Sequence, residues 1–135
     1  MSVAVAYQAS TSGRLTLQEA AKEASLRQTA LSVLHIPESV DIDIIEDQRT
    51  RLHDEITQVL ADVNQHGVQW TLEVATGVDV AETVLDLIAD TDVEVLVIGA
   101  RRRSALGKMI MGSVTQTIIL RADVPVLVVK PPART

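Results

Sequence analysis

An alternation constrains this chain more than any other feature. Short runs of valine, isoleucine, leucine and alanine take turns with longer stretches whose apolar residues recur at helical spacing. Val3, Ala4, Val5 and Ala6 form the first run, read as a strand. Residues 8–13 are small and polar and read as a loop. Leu17, Ala20, Ala21 and Ala24 then mark a first helix over 16–28. Residues 30–36 form a second strand, ended by Pro37, which has no N–H to give a ladder. The acidic stretch 41–47 reads as loop passing into a second helix, with Leu52, Ile56, Val59, Leu60 and Val63 along one face and Gly67 as its cap. A third strand covers 69–74. Asp79, with Glu82 three residues on, opens a third helix that turns Val80, Val84, Leu87 and Ile88 inward. Residues 93–98 form a fourth strand. Gly112 and Ser113 start a fourth helix with Val114 and Ile118 on one face. A fifth strand runs over 124–129, and Pro131 and Pro132 close the fold.

Such βαβ alternation implies the α/β class: an open, doubly wound parallel sheet of five strands, helices on both faces, every crossover right-handed. The fourth and fifth strands are continuous apolar runs, as expected where both sheet faces are covered. The 135 residues show no repeat, linker or low-complexity segment, so one domain over 1–135 is expected.

Composition narrows the function classes. The chain is 47% hydrophobic yet has no Phe, one Trp and one Tyr, so its core is aliphatic. No aromatic platform is present on which unpaired bases could stack. Cysteine is absent, which removes disulfides, thiolate metal sites and cysteine nucleophiles. The apolar runs are far too short to cross a bilayer, and the N-terminus reads as a strand rather than a leader, so a cytoplasmic location is expected. Net charge is −6, so the chain is expected to bind neither nucleic acid nor anionic membrane. Against that acidic background stands one basic cluster: Arg101, Arg102, Arg103 and Lys108.

Open parallel sheets bind ligands beyond the carboxyl ends of their strands, where strand order reverses. With the fourth strand beside the first, that crevice gathers residues 7–10, His35 and Ile36, and the segment from Gly99 onward. Gly99 directly follows the fourth strand, where a sharp turn and close ligand approach are expected. Gly112 and Ser113 stand where a helix presents unpaired N–H groups and the positive end of its dipole, a place that stabilises phosphate. Ordinary helix capping accounts for the same Gly-Ser pair equally well.

Other motifs carry less. Gly107-Lys108 is no P-loop ending, because Met109 replaces the required Ser or Thr and Gly99 lies too far back. His35 reads as a partly buried histidine with a satisfied ring. His53 and His66 have no partners at metal-ligand spacing. Asp41, Asp43, Glu46 and Asp47 read as a solvated acidic face, lacking the glycine and closing glutamate of a calcium loop. Ser10, Ser104 and Ser113 lie in no nucleophile elbow or triad pattern, so no catalytic residue is assigned. Leu106, Met109, Ile110 and Met111 either plug the long loop into the core or cover a ligand.

Over nearly its full length the chain resembles the universal stress protein family. The resemblance rests on Val95-Leu96-Val97-Ile98-Gly99, on Arg101 to Met111, on Gly112-Ser113-Val114, and on Ala122-Asp123-Val124-Pro125-Val126-Leu127-Val128-Val129. Nucleotide-binding members carry G-x2-G-x9-G-[S/T] at this place. Leu34-His35-Ile36 looks like the family's second-strand ending, and Thr76-Gly77-Val78-Asp79 like its lead into the third helix. The resemblance implies strand order 3-2-1-4-5 and a cytoplasmic, commonly dimeric stress-response regulator. It also implies ATP as the ligand, with or without Mg²⁺; any hydrolysis is expected to be slow, because no positioned general base or attacking-water residue is evident in the sequence. Carried over residue by residue, Gly99, Gly112 and Ser113 match the family's phosphate-binding pattern and Ile36 the position whose backbone meets adenine; with the basic cluster, the helix start and the loop after the first strand, the expected nucleotide-binding set is Gly99, Arg101, Arg102, Gly112, Ser113, Val114, Gln8 and Ile36.

Two positions depart from the family pattern. Arg102 stands at the second glycine; it costs close backbone approach but adds a cation for phosphate. Gln8 stands where ATP-binding members have Asp; it can hydrogen-bond a ribose or base but brings no charge to hold a metal. The alternative reading is therefore a ligand-free dimeric interaction module of the same family, its phosphate site closed by Arg102. A cyclic nucleotide is a third ligand class. As an apolar, uncharged sheet edge, the strand from Val124 to Val129 is the expected homodimer interface.

Overall fold

Side-chain alternation along β1 (Ser2–Ala6) divides the molecule into two layers. Val3 and Val5 point into one core and Ala4 into the other. The computed structural model describes residues 1–8, 10–37, 41–63, 67–102, 109–110 and 112–130. After β1 come α1 (Thr11–Leu26), β2 (Ala30–His35), α2 (Ile42–Val63), β3 (Trp70–Val74), α3 (Val80–Ala89) and β4 (Val93–Gly99). Then follow β5 (Arg101–Arg102), β6 (Met109–Ile110), α4 (Ser113–Arg121) and β7 (Val126–Val129).

The main sheet has five strands in the order β3-β2-β1-β4-β7, and each neighbouring pair is parallel. Counted along that sheet, this is the expected order 3-2-1-4-5. Leu17, Ala20, Ala21 and Ala24 of α1 and Leu52, Ile56, Val59 and Leu60 of α2 cover one face, packed on Val3, Val5, Val95 and Val97. On the other face, Ala81, Val84 and Ile88 of α3 and Ile118 of α4 pack on Ala4, Leu96 and Ile98. Each large aliphatic side chain so buried contributes about 1.5–3 kcal/mol, which is why these stripes determine where the helices lie.

Several boundaries differ from the sequence reading, for local reasons. α1 begins at Thr11 rather than Thr16, because the Ser10 hydroxyl oxygen accepts from the Gly13 N–H at 2.9 Å. A polar first turn without apolar periodicity looks like a loop in sequence. The acidic stretch after residue 41 is already helical, with the Asp41 carboxylate accepting from the Asp43 N–H at 2.9 Å. β7 begins at Val126 rather than Val124; the Pro125 carbonyl accepts from Leu96 N–H before the strand starts. β7 is the sheet edge, as the strand order 3-2-1-4-5 requires, but the expectation that both its faces are covered is corrected, since Leu127 is 38% exposed. Within the stretch read as a long loop, Arg101 and Arg102 pair antiparallel with Ile110 and Met109. Gly67 has φ +67, suited to a cap. Residues 64–66, including His66, and the closing prolines lie outside the described residues.

Candidate functional site

β1 is hydrogen-bonded to β2 on one side and to β4 on the other, so the chain leaves β1 in one direction and later returns past it. The loops at the carboxyl ends of these two strands must diverge, and a cleft opens between them. Its volume is about 280 Å³. Ser10, Ser12, Gly13 and Thr16 contribute from the first turns of α1, and Gly112, Ser113, Val114, Thr115 and Ile118 from α4. Ala6, Ile98, Gly99 and Ala100 line it from the strand ends. Leu34, Ile36, Val80 and Val84 make an apolar region.

Six of the eight residues expected at a nucleotide meet here: Gln8, Ile36, Gly99, Gly112, Ser113 and Val114 all line the cleft. Gln8 is exposed, whereas Ile36 is buried. Arg101 and Arg102 are not among the lining residues; their backbone is extended in the β5–β6 ribbon, which begins one residue after the lining residue Ala100. Of the remaining basic cluster, Arg103 and Lys108 lie outside the described residues, as do Ser104, Leu106, Gly107 and Met111.

Gly99 lines the cleft, but the sharp turn expected at it is absent. It is the last residue of β4, still paired with Val129, and the strand's bonding runs on through the Ala100 N–H to the Val129 carbonyl at 2.9 Å. No sharp turn occurs there. A Cβ on Gly99 would instead come within 2.6 Å of Thr16 Oγ1. The glycine lets α1 press against the end of β4. Thr16 is itself buried, and its hydroxyl donates to the Ser12 carbonyl at 2.8 Å.

Charge around the cleft comes from backbone rather than from lining side chains. Among the described lining residues there is no Asp, Glu, His, Lys or Arg. An α-helix leaves its first-turn N–H groups without intrahelical partners. In α1 the Ser10 side chain takes one of them, in α2 Asp41 does, and in α3 Asp79 accepts from the Glu82 N–H at 3.1 Å. α4 begins on Gly112, which has no side chain and makes no cap bond. Its amides and dipole, equivalent to roughly half a positive charge, face the cleft.

On the cleft wall, buried Tyr7 ties three elements together. Its hydroxyl donates to Glu55 Oε1 of α2 at 2.8 Å, and Arg14 of α1 approaches the same carboxylate at 3.7 Å. Burial, reinforced by the bond to Glu55, pushes the phenol pKa well above its ordinary value. The His35 ring donates its Nδ1–H to the Tyr7 carbonyl at 3.0 Å, the satisfied arrangement expected for it. His53 packs on Trp70 with ring centroids 4.9 Å apart. Ser10, considered as a nucleophile, is a helix cap.

Sequence reasoning missed Ser12, Thr16, Val80 and Val84 as cleft residues. Ser12 and Thr16 are four apart in a helix whose inner face is otherwise leucine and alanine, and that polar interruption is the signal that was available. Val80 and Val84 gave none, since core valines look the same.

The family model for the universal stress protein family matches residues 1–130. A universal stress protein of Mycolicibacterium smegmatis is 35% identical over 129 residues, covering 96% of this chain and 97% of that protein. Among solved structures, the universal stress protein from Archaeoglobus fulgidus superposes with a TM-score of 0.74 at 25% identity, covering 95% of this chain and 97% of that one. A structure of the universal stress protein from the same organism in complex with dAMP gives a TM-score of 0.71 at 26% identity, covering 95% and 96%.

Proposed function

The chain belongs to the universal stress protein family, and from that premise we propose that this stress-response protein works by holding an adenine nucleotide in the cleft between β1 and β4. The observation that carries this reading is the uncapped start of α4 at Gly112 and Ser113, opening into the cleft. Phosphate belongs there, against the first-turn amides and the Ser113 hydroxyl. The base belongs among Leu34, Ile36, Val80 and Val84, where apolar surface is available, with exposed Gln8 positioned to reach ribose or base edge. The dAMP complex of the Archaeoglobus fulgidus relative supports the ligand class. ATP is the largest member of that class proposed here. No described lining residue can act as a general base on water, so the reading is binding and signalling, with at most slow hydrolysis.

Calorimetry with ATP and with AMP should give saturable heat, and thermal melts should shift upward. No heat and no shift at millimolar nucleotide overturns the proposal. Arg102→Gly then decides why. If the parent binds nothing and the variant binds, the arginine has closed the site and the protein is a ligand-free interaction module.

A homodimer is part of the same proposal. β7 is an edge strand with no strand beyond it among the described residues, and exposed Leu127 and Leu120 (83% exposed) lie on β7 and on α4, which precedes it. A second copy pairing along β7 would cover both. Sedimentation at micromolar concentration should show the dimer, and a monomer alone would refute it.

A further inference from the structure

Resting on that reading, we infer that His35 is a positioning residue for the nucleotide base: its ring occupies the Tyr7 carbonyl and so leaves the Ile36 N–H at the cleft as a donor to the base edge. The strand pairing carries this. Backbone groups of β2 turn to its two neighbours alternately. The Leu34 carbonyl accepts from the Tyr7 N–H on the β1 side at 2.9 Å, and the His35 carbonyl accepts from the Ala75 N–H on the β3 side at 3.1 Å. Ile36 comes next, and Pro37 after it favours extended backbone at Ile36. The Ile36 N–H therefore turns toward β1, where the Tyr7 carbonyl would be the next rung of the ladder.

That rung is not made. The Tyr7 carbonyl lies 3.0 Å from His35 Nδ1, and a carbonyl can only accept, so the ring donates. Among the described residues the Ile36 N–H has no hydrogen-bond partner. Ile36 is buried, lines the cleft beside Leu34, and packs with Leu34 and Val84 on the α3 side of the sheet. An amide donor in such an apolar wall is costly to leave unpaired. Adenine offers ring nitrogens as acceptors, so the base that fills this wall can also satisfy the amide.

The same bond fixes the way out of β1. His35 holds the Tyr7 carbonyl, and the next carbonyl, that of Gln8, lies against Gly13. Gln8 and Ile36 are the lining residues that follow the two ends of this clamp, so it sets one relative to the other. Without the ring, the Ile36 N–H would close onto the Tyr7 carbonyl, adding a rung to the ladder and withdrawing the donor from the cleft.

The test combines amide hydrogen exchange with calorimetry on the full chain, using AMP as the probe, in the parent, His35→Leu and His35→Asn. Leucine keeps apolar bulk without a donor, whereas asparagine places an amide N–H close to where Nδ1–H stands. In the free parent the Ile36 amide should exchange at least about tenfold faster than the ladder amide of Leu34, and AMP should slow it. In His35→Leu the Ile36 amide should be slow already in the free protein, and AMP affinity should fall by roughly tenfold. His35→Asn should return AMP affinity to within about threefold of the parent, a rescue that bulk alone does not give. Equal AMP affinity in the two variants, or an Ile36 amide as slow as that of Leu34 in the free parent, overturns this inference and leaves the adenine-nucleotide reading standing. Absence of heat with AMP in the parent overturns both. Should His35→Leu fail to fold, the exchange comparison in the parent still decides.

Discussion

α1 and α4 both bring their first turns to the same cleft, but α1 starts beneath a serine hydroxyl and α4 starts on a bare glycine. At α1 the preceding loop folds onto the helix. Ser10 takes the Gly13 N–H, and the Gln8 carbonyl lies so close to Gly13 that a Cβ there would run into it. At α4 nothing of the N-cap residue projects over the amides. Two helix ends with the same dipole thus differ in what they can receive. One is capped by its own chain, and the other is where the proposal puts an anion.

The largest expected effect tests the sealed end. Gly13→Ala forces a methyl group onto the Gln8 carbonyl and should cost about 2–3 kcal/mol of folding stability, read from denaturant midpoints. A variant as stable as the parent would show that the loop is not pressed onto the helix. Next comes an attempt to seal the open end. Gly112 has φ −71 and ψ 166, a conformation any residue adopts, so Gly112→Asp should cap α4 as Asp79 caps α3. Nucleotide affinity should drop by at least roughly tenfold while stability rises by a few tenths of a kcal/mol. Unchanged affinity in calorimetry would break the comparison outright.

Asp79→Ala provides the control from a sealed end. It should cost about 1 kcal/mol of stability and leave nucleotide affinity unchanged. The smallest effect concerns Tyr7 on the cleft wall. Tyr7→Phe removes the bond to a partly exposed Glu55 and should cost under about 1 kcal/mol. It should also change the alkaline limb of stability. The folded phenol resists ionisation, whereas the unfolded one ionises near its ordinary value of 10.0. Above that pH the unfolded state holds fewer protons, so parent stability falls as pH rises. Urea midpoints on either side of pH 10 should show that decline flattened in Tyr7→Phe.

Much of this was legible in the chain, in specific places. The alanine stripe of α1 and the Leu52-Ile56-Val59-Leu60 stripe of α2 are buried as their spacing demands. Asp79 caps α3 as its distance from Glu82 indicated. The β5–β6 ribbon was not legible, because strands of two residues have no period to detect. Gly99 was visible as a glycine at a strand end, but the turn expected there is absent and its packing against Thr16 was not foreseen. Its neighbour Thr16 stands far back in sequence, and only the packing of α1 over β4 puts them together.

Local pattern alone determined that this chain alternates strand and helix, which faces are apolar, and that α4 begins with Gly-Ser. These properties depend on residues within a turn or two of each other. Tertiary structure decided that β4 lies beside β1, that Thr16 presses on Gly99, and that α4, which starts on a glycine with no side-chain cap bond, begins at the cleft. Those outcomes follow from burying two apolar layers on one sheet at once, a requirement that binds distant segments together and that no short stretch of sequence contains.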